Sequence, residues 1–165
     1  MKAIVAVDKN WGIGKNNDLL FSIPEDMKFF RATTLNKVVV MGRKTLESFP
    51  NGEPLKNRVN IVLSSDLNKD GCITVKNIEE LKEKLKEFND EDVFVIGGAS
   101  VYKLLLPYVK KALITKVDAD GEATAFFEDL DKLSNWKMVN ESETILTNGY
   151  KIKFTEYTNL NVLEL

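Results

Sequence analysis

The feature that most constrains the fold is an alternation of short apolar runs with helical patterns, followed by a final stretch that contains strands alone. Val93–Ile96 is a continuous apolar run, typical of a central strand covered on both faces. Trp136–Glu141 and Tyr150–Tyr157 are predicted to be antiparallel strands, with a turn at Asn148–Gly149 between them. Further strands are predicted at Ala3–Val7, Val38–Met41, Val59–Leu63, residues 72–75 and Ala112–Val117.

The helices are indicated by capping signals and by the spacing of apolar residues. Ser22 and Glu25 have capping-box spacing and Pro24 suits a first turn, so a helix is predicted from there to about Thr34. Further helices are predicted at Arg43–Ser48, at residues 78–88 and from about Ser100 to Leu106. The pattern predicts an α/β fold with a central, mostly parallel twisted sheet of about eight strands, an antiparallel C-terminal edge and about four flanking helices.

The composition narrows the possible chemistry. A chain of 165 residues predicts one domain over residues 1–165, with a monomer as the default state. The net charge of −2 creates no strong field for nucleic acid or membranes, and no apolar stretch has the length of a membrane span or signal peptide. The single cysteine, Cys72, excludes an intrachain disulfide and fits a cytoplasmic protein.

The sequence contains no histidine. This excludes histidine acid/base catalysis, Ser-His-Asp triads and the usual histidine-containing zinc sites, and no metal site is expected. Proton chemistry has to use a carboxylate, a lysine, a tyrosine or water.

Two groups of residues at predicted strand ends are candidates for phosphate binding, because ligands of open α/β sheets bind beyond the carboxyl ends of the strands. Gly97–Gly98 lies between a buried strand and a helix, where the backbone can approach a phosphate. Tight packing alone also explains such a pair. Arg43 and Lys44 follow one strand and the pair Ser64–Ser65 follows the next, which suits a phosphate monoester such as the 2′-phosphate of NADP. Ordinary surface residues are the alternative.

Asp26 lies in the first turn of its predicted helix, where the helix dipole favours a carboxylate. A simple capping role is one reading. In the other, Asp26 points inward with Met27 and Phe30, where a carboxylate is costly unless it is hydrogen-bonded. A ligand with two adjacent N–H donors, such as an amino-pyrimidine edge, satisfies both oxygens.

Six ordered motifs together resemble the dihydrofolate reductase family over nearly the whole chain, from Ala3 to about Tyr157. They are IVAVDKNWGIGKNNDL, IPEDMKFF, VVVMGRKTLES, NRVNIVLSS, VFVIGGASVY and LITKVDADGEATAFF. The resemblance implies NADPH-dependent reduction of 7,8-dihydrofolate, by hydride transfer to C6 of the pterin and water-mediated protonation of N5. Dihydrofolate and folate-like inhibitors are the implied ligands. For the paired glycines, the Arg43 group and Asp26, the resemblance favours ligand binding over the structural alternatives.

The resemblance also implies roles for individual residues on the substrate side. Asp26 pairs with N3 and the 2-amino group of the pterin, Thr115 supports that carboxylate, and Phe21 lies beside them as a third catalytic-site residue. Arg58 grips the α-carboxylate of the substrate's glutamate, a task suited to a planar guanidinium. The remaining implied substrate contacts are Ile4, Ala6, Leu19, Met27, Phe30, Phe49, Ile96 and Tyr102.

The implied NADPH contacts come from the same motifs. Residues 9–23 are expected to form a mobile loop that closes over the nicotinamide, and a cis peptide is expected between Gly97 and Gly98. The implied cofactor contacts are Ala6, Ile13, Gly14, Asn17, Gly42, Arg43, Lys44, Thr45, Leu63, Ser64, Ser65, Lys76, Gly97, Gly98, Ala99, Ser100, Val101 and Tyr102.

Two positions depart from the family pattern. Leu20 and Phe21 stand where the family usually has proline and tryptophan, and phenylalanine cannot donate the indole hydrogen bond that holds an ordered water. Ala123 stands where many bacterial relatives have aspartate, which predicts the loss of a hydrogen bond between two loops.

Two alternatives to dihydrofolate reduction remain. Pyrimidine reductases of riboflavin synthesis resemble this fold and use NADPH, but they lack the carboxylate of the IPED segment and an arginine like Arg58. A non-catalytic nucleotide-binding module is the second alternative, and Phe21 favours it slightly.

Overall fold

The strands and helices alternate along the first two thirds of the chain. In the computed structural model, residues 1–16 and 18–165 are described. The strands are β1 (Lys2–Val7), β2 (Gly12–Lys15), β3 (Asp18–Leu19), β4 (Val38–Gly42), β5 (Val59–Leu63), β6 (Ile73–Val75), β7 (Val93–Gly97), β8 (Lys111–Val117), β9 (Ala125–Phe126), β10 (Trp136–Glu141), β11 (Ile145–Thr147) and β12 (Tyr150–Asn159). The α-helices are α1 (Pro24–Thr34), α2 (Arg43–Glu47), α3 (Ile78–Leu85) and α4 (Ala99–Leu105).

Within the described residues the main sheet has nine strands in the order β10-β12-β8-β1-β7-β4-β5-β6, with β11 paired to β12. The six strands from β8 to β6 run parallel to one another, whereas β12 is antiparallel to β8, β10 and β11. This confirms the predicted α/β class, the mostly parallel sheet and its antiparallel C-terminal edge.

The connections change direction between β1 and β7. The chain passes from β1 through α1 to β4, beyond β7, and later from β7 through α4 to β8, beyond β1. Because parallel crossovers are right-handed, these two helices cover opposite faces. The alternation along β4 agrees, since Val38 and Val40 pack in the larger core cluster and Val39 and Met41 pack in another.

A second, small sheet lies beside the first, in the order β3-β2-β9. Gly14 of β2 pairs with Leu19 and with Ala125. The expectation of a loop over residues 9–23 was therefore incomplete. Part of the segment forms strands, one of which pairs with a strand more than a hundred residues away in the chain. Short polar strands with two glycines carry little local strand signal.

The other differences lie at the ends of elements. The capping box was wrong: the N-cap of α1 is Ile23, which provides no side-chain cap, while Pro24 does occupy the first turn. The Ser22 hydroxyl instead contacts the Met27 sulfur at 3.9 Å. The predicted turn at Asn148–Gly149 joins β12 to β11 rather than directly to β10. Among the described residues, every helix is too short or too polar to cross a membrane.

Candidate active site

Asp26 is brought to the sheet by the packing of α1 on its antiparallel edge. The ring of Phe29, three residues further along the helix, packs on Phe154 of β12 with centroids 4.7 Å apart. Phe154 lies opposite Thr115 in the register of β12 and β8, so their side chains share one face. Thr115, which is buried, donates a hydrogen bond from Oγ1 to Asp26 Oδ1 over 2.7 Å. The predicted pair of residues is therefore in contact.

The partly buried position of Asp26 changes its acidity. Burial raises the pKa of the Asp26 carboxyl above its ordinary value, and the hydrogen bond from Thr115 opposes part of that shift. Thr115 uses Oδ1, so the carboxylate keeps acceptor capacity at Oδ2. A neutral ligand that presents N–H groups matches this site, because it supplies donors to a carboxylate that burial has partly desolvated.

Predicted apolar residues lie on the strand that pairs with Thr115 and on the helix that carries Asp26. Ala6 of β1 lies opposite Thr115 in the parallel register, and Ile4 lies two residues earlier on the same face. Phe30 is half-buried, whereas Met27 is 60% exposed. Ala6 and Ile4 thus lie on the sheet face of Thr115, Phe30 lies one helical turn after Asp26, and Met27 lies on the solvent side.

Four other predicted residues are more scattered. Phe49 and Ile96 are half-buried at the edge of the cluster that contains Val39 and Met41. Phe21 packs on Tyr150 with ring centroids 5.1 Å apart, in the cluster that contains Ile23. Leu19, at the end of β3, is 83% exposed, so most of its side chain lies in solvent.

Arg58 is positioned by the C-terminal end of α1. Its Nε donates to Thr34 Oγ1 over 3.2 Å, Nη1 to the Lys56 carbonyl over 2.8 Å and Nη2 to the Arg31 carbonyl over 3.4 Å. Burial and the neighbouring Arg31 cation lower the pKa of Arg58. Two guanidinium groups therefore lie close together beside a helix C-terminus, which favours cations, and they form a site suited to a carboxylate.

The paired glycines after β7 meet the residues that follow β4. The peptide bond between Gly97 and Gly98 is cis, as predicted. A Cβ on either glycine would lie 3.4–3.5 Å from Thr45 Oγ1. A Cβ on Gly42 would lie 3.1 Å from Val101. Gly97 has a φ of 132°, which L side chains rarely adopt, so glycine is required there.

Tyr102 supports the glycines from within the protein. Its hydroxyl donates to the Ile4 carbonyl over 2.7 Å, its backbone N–H donates to the Gly98 carbonyl over 2.9 Å, and its ring lies edge-on to Phe127. Burial, with a smaller effect of the Asp26 charge, raises the pKa of Tyr102. The phenol is therefore a neutral donor already in use. Its ring edge and its hydroxyl lie 3.6 and 3.7 Å from the position that a Cβ on Gly97 would occupy.

The predicted phosphate-binding residues converge on a carboxylate. Arg43 Nη1 donates to Asp66 Oδ1 over 2.8 Å, and Ser64 Oγ donates to the same oxygen over 3.3 Å. Leu63 pairs with Val75 in β5 and β6, which brings Lys76 beside Ser64. The other predicted residues of this region, Lys44, Ser65, Ala99 and Ser100, lie at or just beyond the carboxyl ends of β4, β5 and β7, and all but Ala99 are exposed.

The similarity to known proteins covers the residues around Asp26 and those around the paired glycines. A family model described as "Dihydrofolate reductase" matches residues 1–159. The chain is 37% identical over 162 residues to the dihydrofolate reductase of Bacillus subtilis (strain 168), covering 96% of this chain and 94% of the relative. It is 35% identical to dihydrofolate reductase type 9 of Escherichia coli, covering 98% and 94% of the two chains. It is 39% identical to the dihydrofolate reductase of Staphylococcus haemolyticus, covering 86% and 84%.

The chain belongs to the dihydrofolate reductase family. It is thus an oxidoreductase, and the resemblance of its six motifs to that family is confirmed. The matched range contains every residue predicted to contact substrate or cofactor.

The segment that the dihydrofolate reductase resemblance identifies as a loop over the nicotinamide is anchored by a buried aspartate. Asp8 is 3% exposed and accepts backbone hydrogen bonds from Asn10 at 2.8 Å, Gly12 at 2.7 Å and Gly121 at 3.0 Å. A Cβ on Gly12 would overlap the Ala123 side chain. Ile13 and Gly14, both in β2, are half-buried, and Asn17 lies outside the described residues.

The segments around Gly14 and Ala123 are joined, although the dihydrofolate reductase resemblance predicts the loss of a hydrogen bond between them at Ala123. Thr124 N donates to the Gly14 carbonyl over 2.8 Å, and Asn16 N donates to Thr124 Oγ1 over 3.0 Å. Lys15 and Glu122 form an ion pair at 3.3 Å. Backbone groups, a threonine and Asp8 thus link the segments without an aspartate at position 123.

The sequence assigned no role to Asp8, Arg31 or Asp66 within the dihydrofolate reductase resemblance. Asp8 carries a weak local signal, since it ends an apolar strand just before a glycine-containing turn. Arg31 lies in the last turn of α1, but its proximity to Arg58 depends on tertiary packing. Asp66 lies two residues after Ser64, and only the structure shows that it faces Arg43.

Proposed function

We propose that this protein catalyses the NADPH-dependent reduction of 7,8-dihydrofolate to 5,6,7,8-tetrahydrofolate, by hydride transfer to C6 of the pterin and water-mediated protonation of N5. The single observation that carries the proposal is the partly buried Asp26 carboxylate, held by Thr115 among apolar side chains. This site matches the N3 and 2-amino donors of a pterin. Family membership and the names of the relatives support the same reaction.

The residues around the paired glycines fit NADPH. Gly97 and Gly98 place no side chain beside Thr45 Oγ1, and the half-buried Gly98 is the one proposed to present its backbone to the cofactor. Arg43, Ser64 and the neighbouring Lys76 supply a cation, a hydroxyl and a second cation for a 2′-phosphate. NADPH, when bound, supplies the hydride.

The chain's own residues orient the substrate and favour its protonated form. Asp26 holds the pterin ring by its 2-amino edge, and Thr115 fixes the orientation of that carboxylate. The negative charge of Asp26 favours a proton on the pterin, which water delivers to N5. No histidine is present to do so. The segment anchored by Asp8 excludes bulk water from the reacting atoms.

Arg58 and Arg31 fit the other end of dihydrofolate. Arg58 already donates to two backbone carbonyls and to Thr34, so its guanidinium is held in place before a ligand arrives. A fixed guanidinium binds the α-carboxylate of the glutamate at a low entropic cost. Phe49 and Phe30, both half-buried, are proposed to contact the aminobenzoyl ring between the two ends.

The test is the consumption of NADPH by the purified protein, followed by absorbance with and without dihydrofolate. We expect consumption only when dihydrofolate is present, with tetrahydrofolate as the product. Consumption with a pyrimidine substrate of riboflavin synthesis instead, or binding of NADPH without turnover of dihydrofolate, contradicts the proposal. A protein that works as a monomer should elute at 18.7 kDa in size-exclusion chromatography.

A further inference from the structure

An acidic side chain occupies the position where the cofactor's extra phosphate is proposed to bind. Asp66 Oδ1 accepts hydrogen bonds from Arg43 Nη1 over 2.8 Å and from Ser64 Oγ over 3.3 Å. The Arg43 guanidinium also faces a second carboxylate, since its Nε lies 3.5 Å from Glu47 Oε1. Arg43, which is proposed to bind the phosphate, is therefore already paired with two carboxylates, at Nη1 and at Nε.

A phosphate monoester and the Asp66 carboxylate compete for the same donors. Each is an anion whose oxygens accept from a guanidinium fork and a hydroxyl. The 2′-phosphate carries up to two negative charges, so it cannot share the Arg43 Nη1 edge with Asp66 without repulsion. Binding of the phosphate therefore requires Asp66 to leave Arg43.

We propose that Asp66 is a specificity-determining residue, which weakens the preference of this enzyme for NADPH over NADH by competing for Arg43 and Ser64. The inference rests on the proposed function. NADH lacks the 2′-phosphate, so it binds without breaking the Arg43–Asp66 pair. NADPH gains its contacts with Arg43 and Ser64 only after that pair has opened.

The size of the effect follows from exposure. Asp66 is 73% exposed and Arg43 is 44% exposed. Exposed ion pairs contribute little, so opening this pair is expected to change the Kd for NADPH by about two- to fivefold. Added salt screens both the pair and the phosphate contacts, and the difference should shrink as ionic strength rises.

The experiment compares Asp66→Asn with wild type and with Asp70→Asn, which removes the same charge from an exposed position in the same loop. The Kd values for NADPH and NADH, and for 2′,5′-ADP and 5′-AMP as fragments, are measured by calorimetry. Asp66→Asn is expected to lower the Kd for NADPH and 2′,5′-ADP by about two- to fivefold and to leave those for NADH and 5′-AMP unchanged. Asp70→Asn should match wild type throughout.

A second pair of variants tests whether Arg43 transmits the effect. In an Arg43→Gln background, Asp66→Asn should give a much smaller gain for NADPH, because the competed cation is absent. The proposal is overturned if Asp66→Asn improves NADPH binding as much in the Arg43→Gln background as in wild type. It is also overturned if Asp66→Asn and Asp70→Asn improve it equally. If wild type turns over dihydrofolate with NADPH and Asp66→Asn binds it unchanged, only this inference falls. If wild type does not bind NADPH, the proposed function falls with it.

Discussion

The hydroxyl of Thr115 donates to Asp26 Oδ1 over 2.7 Å and so joins the central sheet to the first turn of α1. The two residues are 89 positions apart in the chain. The hydrogen bond orients a carboxylate that burial makes harder to ionise. The orientation of Asp26 therefore depends on one neutral donor, whereas its raised pKa comes from burial and is partly opposed by that donor.

Asp26→Asn is expected to lower kcat/KM for dihydrofolate at neutral pH by about a hundredfold or more, because the negative charge that favours the protonated pterin is lost. Glu25→Gln is the matched control, since it removes an exposed carboxylate from the same helical turn. Its kinetics should match wild type, and circular dichroism should show both variants folded. Near-wild-type turnover by Asp26→Asn would refute the assigned role.

The same substitution should stabilise the folded protein at neutral pH. Folding raises the pKa of Asp26, so the folded state binds the proton more tightly than the unfolded state does. Stability therefore falls as pH rises from the unfolded to the folded pKa, and the ionised carboxylate is a net cost above that interval. Thermal melts should show a higher Tm for Asp26→Asn at pH 7, and the difference should disappear at a pH below the ordinary aspartate pKa. A difference that is constant with pH contradicts this account.

Thr115→Val should raise the pKa of Asp26 further, because it removes the hydrogen bond that opposes the effect of burial. The pKa can be followed by carbon-13 NMR of labelled aspartate. Thr155→Val is the control, since Thr155 is also buried but donates to the Ile114 carbonyl over 2.7 Å. Both variants should lose about 1 kcal/mol of stability. Only Thr115→Val should move the Asp26 titration, and an equal shift in the control would assign the effect to packing.

The parallel core of the fold could be predicted because its strands are continuous apolar runs. The predicted strand at Val59–Leu63 has the same bounds as β5. The strand β7 extends only one residue beyond the predicted run at Val93–Ile96. The small sheet of β2, β3 and β9 could not be predicted, because β2 pairs with β9 from a distant part of the chain. The cap of α1 was wrong for a related reason: the buried Ile23 sets the entry of the helix, and tertiary packing overrides the local capping signal.

The candidate site was predicted mainly by resemblance rather than by spacing. Spacing leaves Asp26 as either a cap or a ligand group. The Phe29–Phe154 contact and the hydrogen bond from Thr115 show which face of α1 meets the sheet. Likewise, Arg43 and Ser64 are predicted at adjacent strand ends, but their shared partner Asp66 is visible only in the structure. Side-chain partners across loops carry no periodic signal.

Arg58→Lys is expected to raise the KM for dihydrofolate by about 10- to 100-fold with little change in kcat, because a charge-assisted hydrogen bond far from the reacting atoms is lost. A dihydropterin without the aminobenzoyl-glutamate provides the control, since its KM should be the same for variant and wild type. A similar loss with the truncated substrate would indicate that Arg58 acts through its bonds to Thr34 and the Lys56 carbonyl instead.

Asp8→Asn tests how the segment that contains β2 is held. The buried carboxylate accepts three backbone N–H groups, and an amide at that position turns one acceptor oxygen into a donor facing N–H groups. The free energy of unfolding should fall by at least about 1–3 kcal/mol. Amide hydrogen exchange at Gly12 and Gly121 should accelerate together, since one carboxylate accepts from both.

Asp120→Asn is the control, because Asp120 is exposed and accepts from the Glu122 backbone. Its effect on the free energy of unfolding should stay within about 0.5 kcal/mol. Faster exchange at Gly12 without a change at Gly121 would show that Asp8 does not couple the two segments.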